Sequence, residues 1–122
     1  GYTYSGHPLA CAAGLATLDL YRDEGLYERA AALAPYWENA VHSLADARHV
    51  IDIRNLGLVA GIELSARDGE PGRRAMNVFH DCFDNGLLIR VTGDIIALSP
   101  PLIIEKSHID FAVDRIRQAL SK

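Results

Sequence analysis

Two short stretches of this 122-residue chain carry side chains whose types and spacing are suited to chemistry. The chain opens GYTYSGHPLACAAG, which sets the hydroxyls of Thr3 and Ser5 and the glycines Gly1 and Gly6 directly before Pro8, at the start of a helical pattern. A helix N-terminus presents unsatisfied N–H groups and the positive end of the peptide dipoles, so hydroxyls and glycines there can cradle a phosphate. The plainer alternative is that Thr3 or Ser5 only caps the helix or a turn, and spacing alone favours it, because such caps are common. His7 could donate to an anion or bind a metal. No other His, Cys or acidic residue stands at ligand spacing from it, and His42, His49, His80 and His108 are equally isolated, so no zinc site is expected. The second stretch is GLLIRVTGD, where Arg90 is expected to end a strand. A guanidinium held by a rigid strand can grip a carboxylate with two parallel hydrogen bonds, which lysine cannot reproduce. Its alternative is an ordinary edge-strand charge, or a salt bridge to Asp94; without further information that alternative is the stronger, since most arginines lie at the surface.

The elements around these residues are legible from periodicity. Leu9, Ala12, Ala13, Ala16 and Leu20 recur at helical spacing over 9–21, with Pro8 in the first turn and Gly25 as a stop. A second helix is expected from about Leu26 to Leu44, on the stripe Leu26, Ala30, Leu33, Trp37, Val41 and Leu44, with Pro35 kinking or breaking it. The pattern then alternates: Ile51 and Ile53, then Leu58, Ala60, Ile62 and Leu64, a hairpin turning at Asn55 to Gly57. ARDGEPG reads as a loop, and Ala75, Phe79, Cys82 and Phe83 form the apolar side of a helix stopped at Asn85-Gly86. Two more strands follow, LLIR and IIALSPP, joined through VTGD. The last helix is expected to start with Ser107 as N-cap and Asp110 three residues on, ahead of Ile109, Val113, Ile116 and Leu120. This order predicts an α+β unit with a small, mainly antiparallel sheet covered by helices. A boundary falls near Gly25: the first helix has no strand beside it, and its small face of Ala10, Ala13, Gly14 and Thr17 invites close docking onto something else. The expected division is therefore 1–25 and 26–122.

Composition narrows the function classes. Twelve Lys plus Arg against sixteen Asp plus Glu give a net charge of −4, with both signs scattered, so a nucleic-acid partner is not expected. No apolar run approaches the roughly 20 residues of a membrane span, and no leader pattern opens the chain, which is the profile expected of a soluble, cytoplasmic protein. Cys11 and Cys82 each sit in an apolar helical pattern and read as small buried residues from a reducing compartment, not as a disulfide. The only methionine is Met76, so the chain is expected to be a piece of a longer one.

The opening segment closely resembles the stretch that follows the cofactor-lysine region in class III aminotransferases, pyridoxal-phosphate enzymes of fold type I, and TYSGHP is most similar to the ω-amino acid:pyruvate branch. RNLGLVAGIEL resembles that family's small-domain hairpin, and GLLIRVTGDIIALSPPLII its C-terminal segment. The resemblance implies a fold type I small domain over 26–122, preceded at 1–25 by the cofactor-phosphate segment and a helix of the large domain. It implies pyridoxal 5'-phosphate as cofactor and a homodimer or homotetramer. Thr3, with Tyr2 as its aromatic neighbour, would reach the cofactor phosphate of the neighbouring subunit, and Arg90 would receive the substrate carboxylate. It further implies transfer of an amino group from a β- or ω-amino acid to pyruvate. The chemistry needs a lysine amine that condenses with the cofactor and then shuttles a proton. Lys106 and Lys122 are the only lysines, and neither lies in the family's lysine motif, so the 122-residue stretch alone is expected to be inactive. Two other classes stay open on the residues themselves: an independent α+β module binding a small ligand, and a module that dimerises through the small face of the first helix.

Overall fold

The computed structural model describes residues 2–122, so the expected part of Gly1 in the opening turn lies outside the described residues. Helices α1 (Pro8–Asp23) and α2 (Leu26–His42) come first, then strands β1 (Val50–Leu56) and β2 (Val59–Leu64), helix α3 (Arg73–Asp84), strands β3 (Arg90–Thr92) and β4 (Ile95–Leu98), and helix α4 (Lys106–Leu120). The four strands form one antiparallel sheet in the order β1-β2-β4-β3. The expected α+β unit with a small antiparallel sheet is borne out.

Period-2 alternation decides which sheet face is covered. Ala60, Ile62 and Leu64 of β2 and Ile96 and Leu98 of β4 are buried, and they meet Trp37 and Val41 of α2, Ala75, Val78 and Cys82 of α3, and Ile109, Val113 and Ile116 of α4 in a single core. The alternate residues, Val59, Gly61 and Glu63 with Ile95 and Ala97, stand on the opposite, open face. Helices therefore cover one side of the sheet only.

Several local expectations are corrected. Pro35 does not break α2, which runs unbroken through it. The proline ring lies on an exposed part of the helix, where the carbonyl it leaves without a donor, that of Ala31, is exposed as well. Leu44 is fully buried but belongs to the turn after α2, not to the helix. Ile51 is exposed rather than core-facing, because the register shifts between Val50 and Asp52 and the irregularity turns it outward. In α3 the buried positions are Ala75, Val78 and Cys82, while Phe83 is exposed and stacks beside Phe79 with 6.2 Å between ring centres. The N-cap of α4 is Glu105, not Ser107; its backbone N–H donates to His108 Nδ1 at 3.3 Å. Asp110 instead accepts from the Tyr36 hydroxyl at 2.6 Å and so links α4 to α2.

Glycines close both helices that the sequence marks. Gly25 has φ 59° at the junction of α1 and α2. Gly86 has φ 83°, and Leu87 N–H donates back to Cys82 O at 2.8 Å, a left-handed C-terminal closure of α3. Arg29 of α2 ties down the segment ahead of α4 by donating to Leu102 O at 2.5 Å and Ile104 O at 2.7 Å.

Helix α1 stands apart from this core. It has no buried residue, and Leu9, Leu15, Leu18 and Leu20 are all more than half exposed. Cys11, expected to be buried, is exposed, because no described element packs over its side of α1. Its one aromatic contact is Tyr21 packed edge-on against Tyr27 at the joint with α2.

Candidate functional site

Arg90 is placed by the end of α3 and by two hairpin neighbours. The Leu87 amide is taken up in closing α3, and Ile89 is buried in the core, so strand pairing begins only at Arg90. Arg90 therefore opens β3 rather than ending a strand, which corrects the expectation from GLLIR. Pairing of Arg90 with Ala97 and of Thr92 with Ile95 sets both on the open face. The hairpin tip is anchored by Asp94, whose Oδ2 accepts the Gly72 N–H at 2.7 Å and whose carbonyl accepts the Leu64 N–H at 2.8 Å. Asp94 is thus committed to the start of α3, and the salt bridge to Arg90 that stood as one alternative does not form. Among the described residues the exposed Arg90 side chain makes no ion pair and no hydrogen bond.

A row of paired residues crosses the open face: Arg54 on β1, Gly61 on β2, Ala97 on β4 and Arg90 on β3. With strands about 4.8 Å apart, the two arginine backbones stand about 14 Å from each other across the sheet. The side chains between them are a hydrogen and a methyl, so the middle of the face is a shallow trough. Arg54 differs from Arg90 in having its charge answered. Its Nη1 donates to Glu63 at 2.8 Å and to Asp52, and these two carboxylates raise its pKa further above the usual arginine value. A cavity of about 420 Å³ opens beside it, lined by Leu56, Val59, Gly61 and Ile95 as well, and Arg90 is not in its wall. Arg54 escaped the sequence reading because only strand register brings Asp52 and Glu63 together around it.

The opening segment is locally built. Ser5 N–H donates to Tyr2 O at 3.1 Å and His7 N–H to Tyr4 O at 3.2 Å, with Gly6 at φ 76° between them. The N-cap of α1 is His7, and no side chain caps the helix, so the capping alternative for Thr3 or Ser5 is not what the structure shows. Pro8 has no N–H, and the Leu9 and Ala10 amides find no backbone acceptor before the helix. Thr3 and Ser5 are exposed, and their hydroxyls have no hydrogen-bond partner among the described residues. Tyr2 is 88% exposed. Segment 2–7 makes no hydrogen bond to the sheet, so the chain by itself does not bring Thr3 and Arg90 together. No group of three or more potential metal ligands occurs among the described residues.

Residues 1–120 match the family model described as aminotransferase class-III. This chain belongs to the class III aminotransferases. As a class III chain it is 70% identical over 122 residues to the omega-aminotransferase of Caulobacter vibrioides, covering 100% of this chain and 28% of that protein. It is 40% identical to the beta-alanine–pyruvate aminotransferase of Pseudomonas aeruginosa, over 99% of this chain and 27% of that one. Its fold superposes on the omega transaminase of Pseudomonas jessenii, solved in complex with PMP, with a TM-score of 0.90 and 31% identity, covering 99% of this chain and 28% of the other. The chain thus spans little more than a quarter of the length of the class III relatives it matches. Its two lysines are surface groups: Lys106 Nζ sits 4.8 Å from the centre of the Tyr36 ring, and Lys122 pairs with Asp81.

Proposed function

We propose that this chain is the C-terminal part of an aminotransferase that moves an amino group from a β- or ω-amino acid to pyruvate, with Arg90 as the receptor for the substrate carboxylate. The observation that carries the proposal is the contrast between the two arginines of the open sheet face. Arg54 is neutralised by two carboxylates, whereas Arg90 stands at the sheet edge on an anchored hairpin with its guanidinium unpaired. A carboxylate arriving there gains two charge-assisted hydrogen bonds without having to displace an internal partner. The names of the relatives, an omega-aminotransferase and a beta-alanine–pyruvate aminotransferase, support the choice of donor and acceptor.

Pyridoxal 5'-phosphate is the cofactor this role requires, and the opening segment fits its phosphate. Two exposed hydroxyls, Thr3 and Ser5, and the open amides of the first turn of α1 form an acceptor-poor, donor-rich patch of the kind a phosphate needs. Thr3 would hold a phosphate oxygen by its hydroxyl and Tyr2 would flank it. The cofactor supplies an electron sink for the substrate carbon that loses its proton. The lysine that carries that proton would come from residues preceding this stretch. Residues 1–25 then belong to the large domain and 26–122 to the small one, as the absence of any buried side chain on α1 supports. The bare apolar side of α1, with Leu9, Leu15 and Leu18, supports assembly with further protein, as a homodimer or homotetramer in which Thr3 serves the neighbouring subunit. Two free thiols fit a reducing, cytoplasmic setting. No helix among the described residues is long and apolar enough to cross a membrane.

The test is an assay of the intact protein with pyridoxal phosphate, pyruvate and a panel of amino donors. Alanine should form with β-alanine or longer ω-amino acids as donor. No alanine from any donor of this class would refute the proposal.

A further inference from the structure

We propose that the chain carries an anion site of its own, separate in residues from Thr3, Tyr2 and Arg90: a cavity of about 340 Å³ between the turn before β1, the loop after β2 and helices α3 and α4, built to take a small multivalent oxyanion of the phosphate type. Its walls bring together Arg48, Arg67, Arg74 and Lys122, four of the twelve basic residues of a chain whose net charge is −4. The only acid in the wall is Asp81, which Lys122 already occupies. Glu70 reaches Arg67 at 3.6 Å, beyond a normal hydrogen bond. Arg48 has no partner among the described residues. Arg74 is held in place by donating its Nε–H to Ser65 O at 2.7 Å, which leaves its two terminal nitrogens unpartnered among those residues. Three guanidiniums thus converge with their forks largely unused.

His49 gives a second, independent sign of a constrained site. It is the one non-glycine residue with a positive φ among the described residues, at 72°, a conformation that costs energy outside glycine and concentrates at functional sites. The turn is held there by Ser65 N–H, which donates to His49 O at 2.8 Å, so the two loops that supply Arg48 and Arg67 are tied together. Burial pushes the His49 imidazole below its usual pKa, and the neighbouring charges of Arg74, Arg48 and Arg67 push it the same way. Val78, Ala119 and Leu120, all buried, give the cavity an apolar floor beneath its exposed basic rim. Planar guanidiniums match phosphoryl oxygens two at a time, and the volume is at the small end of ligand pockets, room for a diphosphate and its first contacts.

Calorimetric titration of the intact protein tests the proposal, with its cofactor site saturated and inorganic pyrophosphate as the probe; citrate runs in parallel to separate a phosphate source from a polycarboxylate one. Saturable one-to-one binding of pyrophosphate is expected, weakened about tenfold or more by Arg48→Glu and by Arg67→Glu, two exposed positions. Citrate binding that falls in the same variants would support the site and widen its ligand to polycarboxylates. In the unsubstituted protein, saturating pyrophosphate should also move the His49 titration upward, read by NMR, because an anion would offset the three guanidiniums. No saturable binding of either anion, or binding unaffected by both substitutions, or an unmoved His49, would overturn the proposal.

Discussion

Thr3 and Arg90 are both proposed to receive an oxyanion, and among the described residues each side chain is left without an internal partner. For Thr3 the expected consequence is on cofactor retention. Loss of one hydroxyl bond to a charged phosphate is worth about 1.5–3 kcal/mol, or about 10- to 150-fold in affinity, so Thr3→Ala should release pyridoxal phosphate faster on dialysis of the intact protein. Unaltered retention would leave Thr3 as a plain turn residue. Cys82 offers a prediction of a different kind. Burial pushes its thiol from 9.0 up to about 11, helped by the charge of Asp81. Between those two values the unfolded chain has lost a proton that the native chain keeps, so stability should fall as pH rises from about 9 toward 11. Unfolding midpoints across that range should show the decline, and Cys82→Ala should flatten it; an identical slope in the variant would exclude Cys82 as its source. At this scale the sequence told residue type but not partner. Arg90 and Asp94 stand four apart in a turn and look like a pair, yet Asp94 is spent on the Gly72 amide, 22 residues away.

Elements followed periodicity wherever one face is buried, and departed from it at their ends and edges. The stripes of α2 and α4 and the alternation of β2 were readable because each residue's fate depends on its own neighbours in the chain. Ile51 and Phe83 were misread because a register shift and an unpaired helix flank depend on tertiary placement, and the α4 cap because Ser107 looks like a better cap than Glu105, whose N–H donates to His108 Nδ1 three residues on. Two predictions belong here. The Asp94 side chain holds the amide that starts α3 while its own backbone holds β2, so Asp94→Ala should cost about 1–3 kcal/mol of stability, visible as a lower unfolding midpoint. An unchanged midpoint would show that the hairpin tip is held by its backbone bonds alone. Pro35 occupies an exposed turn of an unbroken helix, so Pro35→Ala should restore one backbone bond and slow amide exchange along α2. Faster exchange would mean that the proline is needed for the path of the helix.

On the scale of the whole molecule, the chain combines a well-filled, half-covered sheet with a first helix that buries no side chain and touches the rest through α2. The bare side of α1 and the open sheet face are the chain's uncovered apolar surfaces, and the chain spans little more than a quarter of the length of its class III relatives. Family membership was legible in the sequence because GYTYSGHP and GLLIRVTGD are short contiguous segments that resemble those of class III aminotransferases, and the match over residues 1–120 bears the resemblance out. The basic cavity was not, since Arg48, Arg67, Arg74 and Lys122 are spread over 75 positions and meet only through the packing of α3 and α4 against the loops. In the proposed assembly Thr3 would serve the cofactor of the neighbouring subunit, so the part of the proposal that this chain's own sheet carries is the reception of a substrate carboxylate by Arg90. The most direct measurement is therefore steady-state kinetics of the intact enzyme carrying Arg90→Ala, with pyruvate and with an aldehyde acceptor that has no carboxylate. The Michaelis constant for pyruvate should rise about tenfold or more while that for the aldehyde stays put. Equal constants for pyruvate in the two enzymes, or an equal loss with both acceptors, would contradict the assignment of Arg90.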